Sequence, residues 1–233
     1  MRIIKAIAVL MDYPSAELQD NAGELREAIE EIEGFDPATE RGLVNLVERI
    51  RHQDLLDAQA QYVGLFDRSK SLSLHLFEHV HGESRDRGAA MVDLQNIYAE
   101  HGLEIDANEL PDYVPLFLEF CSRLQFEAVQ DWMAEMGHLL QTLHGRLVER
   151  DSDYQWLFKA LLEIGGLETA DEQLQRQLAE ETPDYTAEAL DAVWAEEPVE
   201  FGPGGSGCGG AKTNSGQTVP IDTSNIERRK ARQ

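Results

Sequence analysis

The chain has 233 residues, 42% of them hydrophobic, and a formal net charge of −24 from 20 Lys and Arg against 44 Asp and Glu. Such a content supports a buried core without covalent staples, and such a charge argues against nucleic acid or a membrane surface as partner and for a basic one. Residues 196–233 hold five acids (Glu196, Glu197, Glu200, Asp222, Glu227) and five bases (Lys212, Arg228, Arg229, Lys230, Arg232), so the whole excess lies in residues 1–195.

From the start of the chain, the apolar run Ala6–Met11 is too short to span a bilayer and has no small-residue cleavage site before Asp12-Tyr13-Pro14, so a cytoplasmic protein is expected. Leu18, Ala22, Leu25, Ile29 and Ile32 follow the 3/4 spacing of a helix with one buried stripe, stopped by Gly34. Leu43, Leu46, Val47 and Ile50 repeat the pattern. Asp54 marks the start of a helix that carries Tyr62-Val63-Gly64-Leu65-Phe66. Its Tyr62, Leu65 and Phe66 share a face, as core residues do and as the lining of an apolar groove does.

The next signature is polar and runs from His75 to Gly88. His75 and His79 lie four apart beside Glu78 and His81, which raises a metal-binding enzyme as the alternative reading. Against it, no cysteine joins the cluster, the His-Glu-x-x-His pattern is missing, and four ligands with a supporting shell must converge. Gly82–Gly88 reads as a turn in which Ser84 caps a helix continuing through Met91, Leu94, Ile97 and Tyr98 to Gly102. Arg85, Asp86 and Arg87 suit internal ion pairs there, or the two arginines hold an acidic or phosphate group of a partner. No glycine-rich phosphate loop with a Lys-Ser/Thr end is present.

A third polar signature is Glu109-Leu110-Pro111-Asp112-Tyr113-Val114-Pro115. If a helix begins near Asp112, then Asp112 and Glu119 share a face. Phe126, Val129, Met133, Met136, Leu140, Leu143 and Leu147 predict one long helix, and Tyr154, Leu157, Phe158, Leu161 and Leu162 another that stops at Gly165-Gly166. Thr169 with Glu172 reads as a capping box, and Thr182-Pro183 as a helix start. The prediction is all-α: a single-domain helical bundle over residues 1–201, followed by a disordered tail, 202–233, first glycine-rich and then basic. Cys121 and Cys208 are read as reduced thiols.

The runs Leu55–Arg68, Leu76–Gly88 and Glu109–Glu119, with Ala90–Leu94 and Asp191–Glu197, together resemble the delta-subunit assembly chaperones of membrane-bound respiratory nitrate reductase, a branch of the redox-enzyme maturation chaperones. The resemblance extends to about Phe201. It implies a helical protein that is not an enzyme and that binds the N-terminal region of the apo catalytic (alpha) subunit while the molybdenum cofactor and iron–sulfur clusters are inserted, before membrane docking. The molybdenum cofactor is then cargo of the client, no cofactor or metal is stably held, and molybdenum cofactor biosynthesis proteins are further partners. The family's aromatic-x-x-Leu-Phe groove motif falls on Tyr62, Leu65 and Phe66. Its Glu-x-Pro-Asp-His motif falls on Glu109, Pro111 and Asp112, with Tyr113 in place of the histidine, so a role that needs an imidazole there is not expected. Glu78, His79, Arg85, Arg87 and Glu119 complete the expected client-peptide site, with Glu78, Glu109, Asp112 and Glu119 as an acidic rim. The alternative client is another molybdoenzyme, although the His79–Gly88 block resembles the nitrate reductase branch.

Overall fold

Two helices have so few polar residues that no orientation at a surface would hide their apolar sides, and the fold places them face to face at its centre. The first is α1 (Arg2–Met11), in which Ile3, Ile4, Ala6, Ile7, Ala8, Leu10 and Met11 are all buried. The second is α8 (Val114–Ser122), which buries Val114, Pro115, Phe117, Leu118, Phe120 and Cys121 and packs along α1. The computed structural model describes residues 1–82, 84–105 and 109–194. Among these, thirteen α-helices occur and no strand, so the all-α expectation holds.

Between the two central helices run α2 (Ala16–Asp20), α3 (Ala22–Glu30), α4 (Pro37–His52), α5 (Leu55–Tyr62), a π-helical turn (Val63–Asp67), a 3₁₀ turn (Lys70–Leu72), α6 (Leu76–His81) and α7 (Asp86–Glu100). After α8 come α9 (Phe126–Glu135), α10 (Gly137–Glu149), α11 (Gln155–Ile164), α12 (Glu172–Ala179) and α13 (Ala187–Trp194). Helices α10 and α11 pack against each other, α3 against α4, and both α3 and α11 against α1. Their buried stripes merge into one contiguous apolar core.

Asp54 caps α5 as expected, its carboxylate accepting from the Leu56 and Asp57 amides. Gly34, Gly102 and Gly166 adopt the left-handed conformation that ends a helix at no Cβ cost. Other boundaries differ. The helix predicted across Leu18–Ile32 breaks at Asn21, and the long one across Phe126–Leu147 breaks at Met136. Apolar spacing survives both breaks because each pair of helices keeps its stripe toward the same core. The expected Thr169 capping box is replaced by Asp171, whose side chain accepts from the Leu174 amide at 2.8 Å. Helix α13 starts at Ala187 rather than at Pro183, because Asp184 is held by Arg150 and the Ser69 and Ser71 hydroxyls. The predicted tail, 202–233, and Cys208 lie outside the described residues.

Candidate functional site

Helix α1 has one stripe that is not fully buried, Arg2, Lys5, Val9 and then Asp12 just past its end. Three of the four are charged and the fourth is an apolar residue half-buried on an otherwise polar face. Beside this stripe lies the first turn of α8, where Pro115 fits near the helix start because its missing N–H costs nothing there. Between the two runs a groove of about 400 Å³ lined by Lys5, Ala8, Val9, Asp12, Glu109, Tyr113, Pro115, Leu116 and Glu119. Ala8, Val9, Pro115 and Leu116 make its floor apolar. Asp12, Glu109 and Glu119 outnumber Lys5 on its rim.

Tyr113 fixes one wall. Its hydroxyl donates to the Asp12 carboxylate at 3.0 Å and lies 3.0 Å from the Tyr62 hydroxyl, which itself donates to the Met11 carbonyl at 3.0 Å. These contacts tie the end of α1 to the start of α8 through Tyr62, the last residue of α5. Burial raises both phenols above the ordinary tyrosine range, and the neighbouring Asp12 charge adds to it, so both protons stay in place. Below Tyr113 the ring of Tyr62 is only 3% exposed. It packs on Phe66 at 4.9 Å and Tyr154 at 6.2 Å between centroids, and Phe66 meets Tyr154 edge-on at 5.2 Å. Tyr62 and Phe66 are thus buried in the core, with Leu65 half-buried against them.

A second polar cluster lies at the start of α6. Asp112 is fully buried. Its carbonyl accepts from the Leu76 amide and its carboxylate from the Phe77 amide, both at 3.0 Å, while the Leu74 carbonyl accepts from Val114 at 2.8 Å. One residue from a distant loop thereby satisfies the first amides of α6, which has no cap of its own. His75 Nδ1 sits 3.4 Å from the same carboxylate, and Arg87 3.9 Å from it and 3.3 Å from Glu78. The hydrogen bond to Asp112 holds the His75 imidazole above its ordinary range, whereas burial lowers His79, whose Nε2 donates to the Ser73 carbonyl at 2.8 Å.

The expected site is thus divided. Glu109, Tyr113 and Glu119 line the groove. Glu78, His79, Arg87 and Asp112 belong to the internal cluster around α6, and the Pro111 carbonyl accepts from the Tyr98 hydroxyl at 2.7 Å. Arg85 is exposed at the start of α7, where Ser84 accepts from the Asp86 amide. Asp112 and Glu119 do not share a helix face: α8 begins at Val114, and Asp112 turns inward to α6 instead of outward to a rim. The histidines diverge as well, His75 toward Asp112, His79 toward Ser73 and His81 toward the Phe77 ring. Among the described residues no three His, Cys, Asp or Glu side chains are placed to hold a metal, and no helix is long and apolar enough to cross a membrane.

Sequence reasoning missed Lys5, Ala8, Val9, Asp12 and Leu116. The signal was in the first twelve residues, where positions 2, 5, 9 and 12 form a 3/4-spaced stripe that is polar except for Val9.

The nitrate reductase delta subunit family model matches residues 15–160 of the chain. The chain is 43% identical over 196 residues to the nitrate reductase molybdenum cofactor assembly chaperone NarJ of Escherichia coli strain K12, a match spanning 84% of this chain and 83% of that one. It is 40% identical over 201 residues to the probable nitrate reductase molybdenum cofactor assembly chaperone NarW of the same strain, 86% of this chain and 84% of that one. To the probable chaperone NarJ of Bacillus subtilis strain 168 the identity is 30% over 157 residues, 67% of this chain and 84% of the relative.

Proposed function

Because the chain belongs to the nitrate reductase delta subunit family, we propose that it is an assembly chaperone for the molybdenum cofactor of a respiratory nitrate reductase. Acting in the cytoplasm, it binds the N-terminal region of the apo catalytic subunit while that subunit receives its molybdenum and iron–sulfur cofactors, and it lets go before the enzyme docks at the membrane. The body that does this comprises residues 1–201. No bond is made or broken; the work is reversible binding, and the cofactor is the client's.

The observation that carries this reading is the groove between α1 and the start of α8, with an apolar floor and a rim on which Asp12, Glu109 and Glu119 face a single Lys5. An amphipathic client segment would seat apolar side chains on Ala8, Val9, Pro115 and Leu116 and set basic ones against the acids. The floor fixes how long the client stays, because apolar area must be re-exposed on release, and the rim fixes how often it arrives. Tyr62 and Phe66 serve from beneath, holding Tyr113 in the wall.

Isothermal titration with a synthetic peptide from the N-terminus of the catalytic subunit tests the assignment. One-to-one binding is expected, weakened about tenfold by Leu116→Ala or Val9→Ser, since removing methyl groups from an apolar contact costs roughly 1–2 kcal/mol. Both positions are only half-buried, so the melting temperature should fall little. Binding unchanged in both variants would move the client elsewhere.

A further inference from the structure

The groove has a second ligand of the right chemistry within the same chain. Its rim carries three carboxylates against one ammonium, on a body that holds the entire −24 excess. Of the three, Asp12 accepts from Tyr113, and among the described residues Glu119 pairs with Arg123 at 3.9 Å, with both side chains about half exposed, a pairing worth little. Its floor is apolar. The one segment that answers both features is Ile226-Glu227-Arg228-Arg229-Lys230-Ala231-Arg232, which sets four cations within five residues beside an aliphatic side chain. Elsewhere cations are spread among acids and largely engaged by them, as Arg2 is by Glu31, Arg26 by Glu30 and Glu48, and Arg146 by Glu181.

Reach is not limiting. Helix α13 ends at Trp194, and 33 residues separate it from Arg228. Such a length spans up to about 110 Å when extended, against roughly 40 Å across a folded body of this size.

We infer that the basic segment 226–232 occupies the α1–α8 groove of its own chain, with Ile226 on the floor and its arginines on the rim, and that it competes there with an incoming client. This inference rests on the reading that the groove is the client site. A tethered competitor needs little intrinsic affinity, because a linker of this length supplies an effective concentration approaching the millimolar range. It would hold the groove when no client is near, cover its apolar floor and give way to a tighter ligand. The device also raises the affinity a client needs in order to be retained, by the same factor for every ligand of the groove.

The test uses the full chain. In the variant R228Q/R229Q/K230Q/R232Q the backbone amide NMR signals of Val9 and Leu116 should shift from their wild-type positions at low salt. Adding a synthetic peptide of residues 222–233 to that variant should shift them back. Client-peptide affinity should be about three- to tenfold tighter in the variant than in wild type. Unchanged Val9 and Leu116 signals, or a response to the added peptide confined to other residues, overturns the inference. If the client peptide binds neither protein while the groove amides respond as expected, the client reading fails and the intrachain contact stands. If the client binds both proteins equally and the groove amides do not respond, the intrachain contact fails and the client reading stands.

Discussion

His144 is 8% exposed on α10, and burial, with Lys159 nearby, pushes its imidazole down to about 4. His79 is lowered by burial too, whereas His75 is raised by its bond to Asp112. The signs follow from linkage. The stability gained from neutral His144 and His79 is full above the unfolded histidine value of about 6.5 and is lost as pH falls below it. The contribution of protonated His75 is full below 6.5 and is lost as pH rises through its folded value. Urea titrations from pH 7 to pH 4 should therefore show a loss that His144→Gln reduces, the difference growing to the order of 2–3 kcal/mol at the acid end. Parallel pH profiles for wild type and variant would mean that His144 is not held neutral by the fold. The same scale explains what was legible in the groove motif. The spacing of Tyr62, Leu65 and Phe66 identified a shared face, and the ring contacts with Tyr154 decided that the face is interior for two of them. No spacing rule could have shown that Asp112 caps a helix thirty-five residues away in sequence, because that role exists only once the two loops meet.

Helix contacts in this fold depend on missing side chains. A Cβ at Gly42 on α4 would lie 2.1 Å from the Trp156 ring of α11, so the partly buried ring must shift and its packing be lost. Gly42→Ala should therefore cost about 2–3 kcal/mol or more in denaturant unfolding. Gly23, exposed on α3 with open space around its Cβ direction, supplies the control. Gly23→Ala should leave stability unchanged or raise it by roughly 0.5–1 kcal/mol, since alanine loses less backbone entropy in a helix. Equal losses for both would show that α4 and α11 do not approach as closely as described. Helix existence was legible almost everywhere, and helix ends were not. At Met136 the chain breaks where Gly137 lets Leu167 come within 2.8 Å of the Cβ position, a contact from another part of the chain that periodicity cannot register.

At the scale of the molecule, the proposed client binding predicts that charge governs arrival and the apolar groove governs retention. The body's excess of −24 acts over about one Debye length, roughly 10 Å at 0.1 M salt. Stopped-flow mixing with a basic client peptide should show an association rate that falls several-fold between about 0.05 and 0.3 M salt, with little change in dissociation. A salt effect confined to dissociation would place the ion pairs inside the bound interface instead of in the approach. The sequence by itself determined the helical class and the acidic field, because periodicity and net charge are properties of the linear chain; that α1 and α8 form the centre came from their packing. Only the tertiary structure decided which polar residues face outward. Glu109 and Glu119 stayed on a groove rim while Asp112 went inside, and α1 supplied Val9 and Asp12 to a surface shared with α8. A groove is made by two segments about a hundred residues apart, so its lining is a property of their packing and not of either segment alone.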